Sequence, residues 1–333
     1  LLSIAPLPPP TWTEPLEAIQ NQIACPQLIP GLYKPEDCLI ANVYVPDTKE
    51  TSLPVLVHVH GGAFQLGYGN SQTGKNLLKM KNIIIVNFNY RLGAHGLLCL
   101  GTEDIPGNAG MKDQVTLLRW VQRNIAYFGG NPNDVTIDGW SAGAASVDLI
   151  MISKMAKGLF HKVISQSGAN GASFSVQVDP VQNAKNWENH IKLYRLLHGF
   201  ELQVAAGNNH VYLYKYAFED SRTDYIPYTN MRGATHCAQT DAVLDEDDED
   251  NLIEEYRKMK KTMREIWINF VSTGKPVPEG SPYPTWPPVG AHRAPYMLLN
   301  STMELHGTFL EKRADFWNEI YSKYYRHPVP PTF

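Results

Sequence analysis

The stretch Gly139-Trp140-Ser141-Ala142-Gly143 constrains this chain more than any other. Before it, Val135-Thr136-Ile137-Asp138 reads as a strand; after it, Ala144-Ala145-Ser146-Val147-Asp148-Leu149-Ile150-Met151 reads as a helix. A serine in so tight a strand-to-helix turn must adopt strained backbone angles. Glycines two places to either side let the neighbouring chain pass close enough for the turn to close. Ser141 then projects from the carboxyl end of a strand, and the positive end of the following helix favours negative charge that develops during nucleophilic attack. With 25 glycines in the chain, the G-x-S-x-G pattern alone is a weak signal. Its strand and helix context is what gives it weight.

The rest of the chain is organised compatibly. Pro6, Pro8, Pro9 and Pro10 rule out regular helix near the start, so the first forty residues read as an extended surface segment. Apolar residues alternate over 36–45, and Pro54-Val55-Leu56-Val57-His58-Val59-His60 reads as a more buried strand ending at Gly61-Gly62-Ala63-Phe64. Glycines directly after a buried strand mark backbone that approaches a ligand, with amide N–H groups free to face an oxyanion. Ile83-Ile84-Ile85-Val86 is a continuous apolar strand of the kind covered on both faces. A helix is expected over Met111 to Val121, a turn over Phe128 to Pro132, and a short strand at Val163-Ile164-Ser165-Gln166. Later, Val211 to Tyr216 reads as a strand, and Asn251 to Phe270 and Ala314 to Tyr325 as amphipathic helices joined by a proline-rich linker over 274–288. Strands alternating with helices and ending in glycine turns argue for an α/β fold with a mostly parallel sheet and helices on both faces.

Composition narrows the function classes. A chain of 333 residues with a formal net charge of -4 gives no sign of a nucleic-acid partner. No window holds the roughly twenty apolar residues of a membrane span. Leu1 is not a start methionine and no signal peptide is visible, so the expected form is a mature chain or a fragment.

Taken together, Glu36-Asp37-Cys38-Leu39, His60-Gly61-Gly62-Ala63-Phe64, Asn89-Tyr90-Arg91-Leu92-Gly93, Gly107-Asn108-Ala109-Gly110 with Asp113-Gln114, Phe128-Gly129-Gly130-Asn131-Pro132 and the Ser141 turn stand in one order. In that order they resemble the carboxylesterase and cholinesterase branch of the α/β-hydrolase fold, and the insect esterases within it, those of moths in particular. The likeness runs from about Trp12 to Lys185 and from Leu202 to the end. It implies one α/β-hydrolase domain over 1–333, with a shortened region near 186–201.

The resemblance also implies an acyl-enzyme mechanism without a cofactor. Ser141 is the nucleophile, and the amides of Gly62, Ala63 and Ala142 form the oxyanion hole. Ala63 stands where many relatives have glycine; its N–H is kept. His236, in Gly233-Ala234-Thr235-His236, resembles the family's histidine loop and follows the serine, as this fold requires. The expected separation of His236 and Ser141 is one hydrogen bond. Asp179, Glu188, Glu201, Asp220 and Asp224 lie between them, but none has the strand-and-turn setting of the family's acid, so the catalytic acid is unassigned. Loss of the acid alone lowers turnover by about four powers of ten, because the histidine tautomer is no longer held.

Further expectations follow. Cys25 and Cys38 match a family disulfide, while Cys99 and Cys237 are read as free thiols. Asn300-Ser301-Thr302 is a glycosylation sequon, which together with the disulfide places the chain outside the cell. Trp140 is read first as a packing residue; the alternative, an apolar wall at the site, would suit a lipophilic ester. His58 and His60 face one side of a strand without a cysteine or carboxylate cluster, so no metal site is assigned. The acidic run Asp241 to Asp250 is read as a solvated loop. Two function classes follow: a secreted serine esterase acting on small lipophilic esters, and a non-catalytic relative of the same fold.

Overall fold

The computed structural model describes residues 5–7, 11–15, 17–19, 22–80, 82–171, 175–177, 179–181, 210–219, 232–245, 248–290 and 294–309. The shortened region near 186–201, the helix expected over Ala314 to Tyr325, and Glu188, Glu201, Asp220 and Asp224 lie outside the described residues.

Among the described residues, five strands form the central sheet: β1 (Ala41–Tyr44), β2 (Leu53–Val59), β3 (Ile84–Phe88), β4 (Gly130–Trp140) and β5 (Lys162–Gln166), in the order β1-β3-β2-β4-β5. β2, β3, β4 and β5 run parallel, and β1 closes one edge antiparallel to β3. The parallel strands are buried on both faces, which explains why β3 reads as unbroken apolar sequence rather than an alternation. A second sheet holds β6 (Tyr214–Tyr216), β7 (Tyr296–Leu299) and β8 (Met303–His306), with β6 parallel and β8 antiparallel to β7. Regular pairing at β6 spans three residues rather than the six read from the sequence.

The two faces of the central sheet follow from the period of two along each strand. Val55, Val57, Val59, Val135 and Ile137 point to one face, where they pack on α3 (Ala109–Asn124) and α4 (Ala142–Ile152). Leu56, Ile85 and Ile164 point to the other, against α1 (Lys75–Met80), α5 (Ala238–Leu244) and α6 (Glu254–Thr273). A short α2 (Gly93–Leu97) precedes α3. Arg91 is buried in a two-pronged pair with Asp113 of α3, its Nη2 donating to Oδ1 at 2.6 Å and its Nε to Oδ2 at 2.8 Å. The turn read over Phe128 to Pro132 is shorter than expected, because strand pairing already begins at Gly130 opposite Leu53.

The N-terminal segment is tied down by a Cys25–Cys38 disulfide, and Cys99 and Cys237 are unbonded thiols. Within that loop, Gln27 exchanges two hydrogen bonds with the backbone of Gly67, donating at 2.7 Å and accepting at 2.8 Å. The disulfide loop therefore braces the glycine segment that follows β2.

The acidic run at 241–250 is not simply a solvated loop. Asp241 to Leu244 belong to α5, and Asp245 and Glu249 turn inward to two cations of α6. The Lys260 side chain is fully buried and pairs with Asp245, while Arg264 Nη2 donates to Asp245 Oδ1 at 2.6 Å and Arg264 Nη1 reaches Glu249. Two buried cations on one helix need anions within reach, and that demand pulls the carboxylates in. Replacing Asp245 with alanine removes a charge shared by Lys260 and Arg264. The expected cost is about 3–5 kcal/mol, read as a lower midpoint in urea unfolding.

Candidate active site

Ser141 lies between the last residue of β4 and the first of α4, at φ 55° and ψ -119°. A serine held there carries strain on the order of 1–3 kcal/mol, so the surroundings must enforce it. They do so by close backbone approach. A Cβ on Gly143 would stand 2.1 Å from the Val59 carbonyl oxygen, one on Gly139 2.4 Å from the Gly143 oxygen, and one on Gly168 2.3 Å from the Ser141 oxygen. Only glycine fits at these three positions. The Ser141 amide donates to the Gln166 carbonyl of β5 at 2.9 Å, which ties the turn to the edge strand.

The segment after β2 packs against this turn. A Cβ on Gly61 would lie 2.7 Å from the Trp140 ring. Gly62 and Ala63 both have left-handed backbone, φ 103° and 55°, and the Gly62 carbonyl accepts from the amides of Gln65 and Leu66, each at 2.9 Å. The amides of Gly62, Ala63 and Ala142 have no backbone acceptor among the described residues. Free amides at a turn beside a helix start are the donors an oxyanion needs.

His236 comes from 95 residues further along the chain, and its Nε2 lies 2.9 Å from Ser141 Oγ. It sits in the turn leading into α5, and Cys237, at φ 68°, begins that helix. Partial burial of the ring lowers the His236 pKa from its ordinary 6.5, so the imidazole is neutral near pH 7 and able to accept a proton. No carboxylate is hydrogen-bonded to its Nδ1 among the described residues. Asp179 is exposed, and the buried Asp148 accepts instead from the Asn170 amide at 2.6 Å. Burial pushes the Cys237 thiol up to about 12, which keeps this neighbour of His236 protonated and unreactive.

The remaining candidates separate from the centre or support it. His60 is buried and stacked on Tyr90, its Nδ1 is 2.8 Å from the Gly61 carbonyl, and burial lowers its pKa to about 4. His58 points instead to Asp138 of β4, Nδ1 to Oδ2, at 2.8 Å. The two histidines thus serve strand and loop contacts. Trp140 packs on Gly61, and its buried indole N–H has no partner among the described residues. Asn300 sits half-buried in the turn joining β7 to β8, where its amide donates to Thr302.

Sequence reading missed the polar residues around the pair. Gln239 of α5 donates to Ser167 Oγ at 3.1 Å, and Thr240, Gln166 and Asp138 form a buried chain beneath the turn. One part of it was readable: His58 is the lone polar side chain in the otherwise apolar β2.

A separate open cleft of about 950 Å³, lined by charged side chains including Lys75, Lys79, Asp248 and Lys261, lies between α1 and α6 and contains neither Ser141 nor His236.

With this geometry in place, comparison with known proteins becomes informative. The profile described as Carboxylesterase family matches residues 4–196 and 191–317. The chain belongs to the carboxylesterase family. It is 44% identical over 170 residues to the juvenile hormone esterase of Heliothis virescens, an alignment covering 49% of this chain and 30% of that protein. It is 43% identical over 178 residues to the para-nitrobenzyl esterase of Bacillus subtilis, covering 50% and 36%. The chain thus spans about a third of the length of the curated relatives it matches. Among solved structures, the juvenile hormone esterase of Manduca sexta with OTFP covalently attached superposes at a TM-score of 0.75 with 23% identity, across 96% of this chain and 92% of that one. The fold is that of the α/β-hydrolases, as in these family members.

Two outcomes follow from the geometry. Gly143→Ala forces a methyl group into the Val59 carbonyl and is expected to lower stability by about 3 kcal/mol, measured by urea unfolding. The second concerns pH. His236 and His60 both have folded pKa values below 6.5, so the unfolded chain binds more protons in the interval beneath it. Their burial therefore costs nothing above about pH 6.5 and is felt increasingly as pH falls below it. Urea midpoints are expected to be lower at about pH 5 than at about pH 7.5, and replacing His60 with glutamine should shrink that difference.

Proposed function

We propose that this chain is a serine carboxylic-ester hydrolase acting on small lipophilic esters through an acyl-enzyme intermediate. The observation that carries the reading is the 2.9 Å contact of His236 Nε2 with Ser141 Oγ, made where Ser141 has positive φ at the start of α4. In this reading His236 takes the hydroxyl proton as Oγ attacks the ester carbonyl. The amides of Gly62, Ala63 and Ala142 receive the oxygen's negative charge, and the proton then passes to the departing alcohol. Water, activated by the same imidazole, releases the acid. Trp140, next to Ser141 and packed on Gly61, would offer a lipophilic ester an apolar surface. The OTFP held covalently by the Manduca sexta relative accords with a nucleophile in this fold.

The domain reading accords with a central sheet whose two faces carry two cores, and with a family match in two pieces that overlap at residues 191–196. An extracellular setting rests on the Cys25–Cys38 bond and on Asn300 standing at a turn.

One observation favours the second reading, a non-catalytic relative: His236 Nδ1 has no carboxylate partner among the described residues. Labelling with a fluorophosphonate probe, with Ser141→Ala as control, separates the two. The hydrolase reading expects stoichiometric labelling of Ser141 and measurable turnover of p-nitrophenyl acetate, abolished in Ser141→Ala. Turnover about four powers of ten below that of an intact triad would mean that no acid engages His236. Folded protein that takes up no label would establish the non-catalytic reading.

A further inference from the structure

Beneath the serine turn, four polar side chains cross the sheet in a line. His58 of β2 lies directly opposite Asp138 of β4, and its Nδ1 is 2.8 Å from Asp138 Oδ2. Asp138 Oδ1 accepts from Gln166 Nε2 of β5 at 2.6 Å, and Gln166 Oε1 accepts from the Thr240 hydroxyl of α5 at 3.3 Å. All four are buried: Gln166 and Asp138 at 0% exposure, Thr240 at 1% and His58 at 2%. The period of two along the strands sets His58, Asp138 and Gln166 on the same face as Leu56 and Ile164, the face that α5 covers.

A buried polar chain is a poor source of stability, since well-packed apolar residues of the same size serve as well or better. What hydrogen bonds add is geometry: a fixed distance and direction that apolar contact does not impose. Gln166 is placed to use this. Its backbone carbonyl accepts from the Ser141 amide at 2.9 Å, and its side chain reaches Thr240, one helical turn beyond His236. A carboxamide both donates and accepts, so it can satisfy a carboxylate on one side and a hydroxyl on the other; neither glutamate nor leucine does both.

We propose that Gln166 is a positioning residue that sets the spacing between Ser141 and His236, holding the serine turn through its main chain and the histidine-bearing helix through Thr240, with Asp138 and His58 fixing its carboxamide. This rests on the reading of Ser141 and His236 as nucleophile and base. With no carboxylate on His236 Nδ1 among the described residues, the attachment of α5 carries the task of aiming the imidazole. The Gln239 to Ser167 contact is a second tie between α5 and the end of β5, made without touching Gln166.

The test uses the full chain with Thr240→Val, which keeps the shape and removes the hydroxyl, and Thr240→Ser, which restores it. The measurements are kcat and KM on p-nitrophenyl acetate, the fluorophosphonate labelling rate, the urea midpoint, and the imidazole ¹⁵N shifts of His236. Thr240→Val is expected to lower kcat and the labelling rate by about ten-fold while KM stays within about two-fold, and to move the His236 shifts. Thr240→Ser is expected to recover most of the rate. Should the valine variant fail to fold, Thr240→Ala takes its place with the same expectation. A folded variant lacking the hydroxyl, with unchanged kcat and unchanged His236 shifts, overturns the proposal. If the unmodified chain proves unreactive towards probe and ester, the hydrolase reading fails, and the His236 shifts still decide the positioning claim, for it or against it.

Discussion

Ser141 keeps its left-handed backbone because three carbonyl oxygens occupy the space where side chains would begin at Gly139, Gly143 and Gly168. The rest of the site depends on that crowding. It brings the start of α4 against the end of β2, the strand that Gly61, Gly62 and Ala63 follow. Strain on the order of 1–3 kcal/mol at one residue is tolerable only where the surrounding sheet over-determines the turn, and here β2, β4 and β5 all meet it.

The central sheet divides its labour between its faces. Towards α3 and α4 an apolar cluster is joined by the buried Arg91–Asp113 and Gln114–Ser146 pairs, and the dense packing makes that side a rigid base for the turn. Towards α5 and α6 it includes charged and polar groups, and these determine where the histidine goes. α5 is tethered at its start through Gln239 and Thr240 and just past its end through Asp245, which meets Lys260 and Arg264. An imidazole delivered from 95 residues away needs such anchoring, because a ring on an untethered loop would sample many distances from Ser141 rather than one.

What could be read from the sequence follows the range of the forces involved. The Ser141 turn, the glycine segment after β2 and the buried strands are set by neighbours a few residues apart, so their residues show in the pattern. The acidic run at 241–250 looked like solvent-facing sequence because its partners, Lys260 and Arg264, lie on a different element. Pairing from Gly130 was likewise hidden, since Asn131-Pro132 has the local chemistry of a turn while Leu53 on β2 supplies the partner. His58 stood out as a polar residue in an apolar strand, but its meeting with Asp138 required the register of β2 against β4.

By itself, then, the sequence determined an α/β fold, a serine presented at a sharp strand-to-helix bend, and a glycine segment able to offer free amides, because backbone sterics and hydrophobic period act locally. The resemblance it carries pointed to His236. Only the tertiary structure decided that His236 Nε2 lies 2.9 Å from Ser141 Oγ, that Gln166 touches both the turn and α5, and that Asp148 is engaged with the Asn170 amide rather than with the imidazole. Those are contacts between segments distant in the chain, fixed by strand register and helix packing, and no pattern of neighbouring residues encodes them.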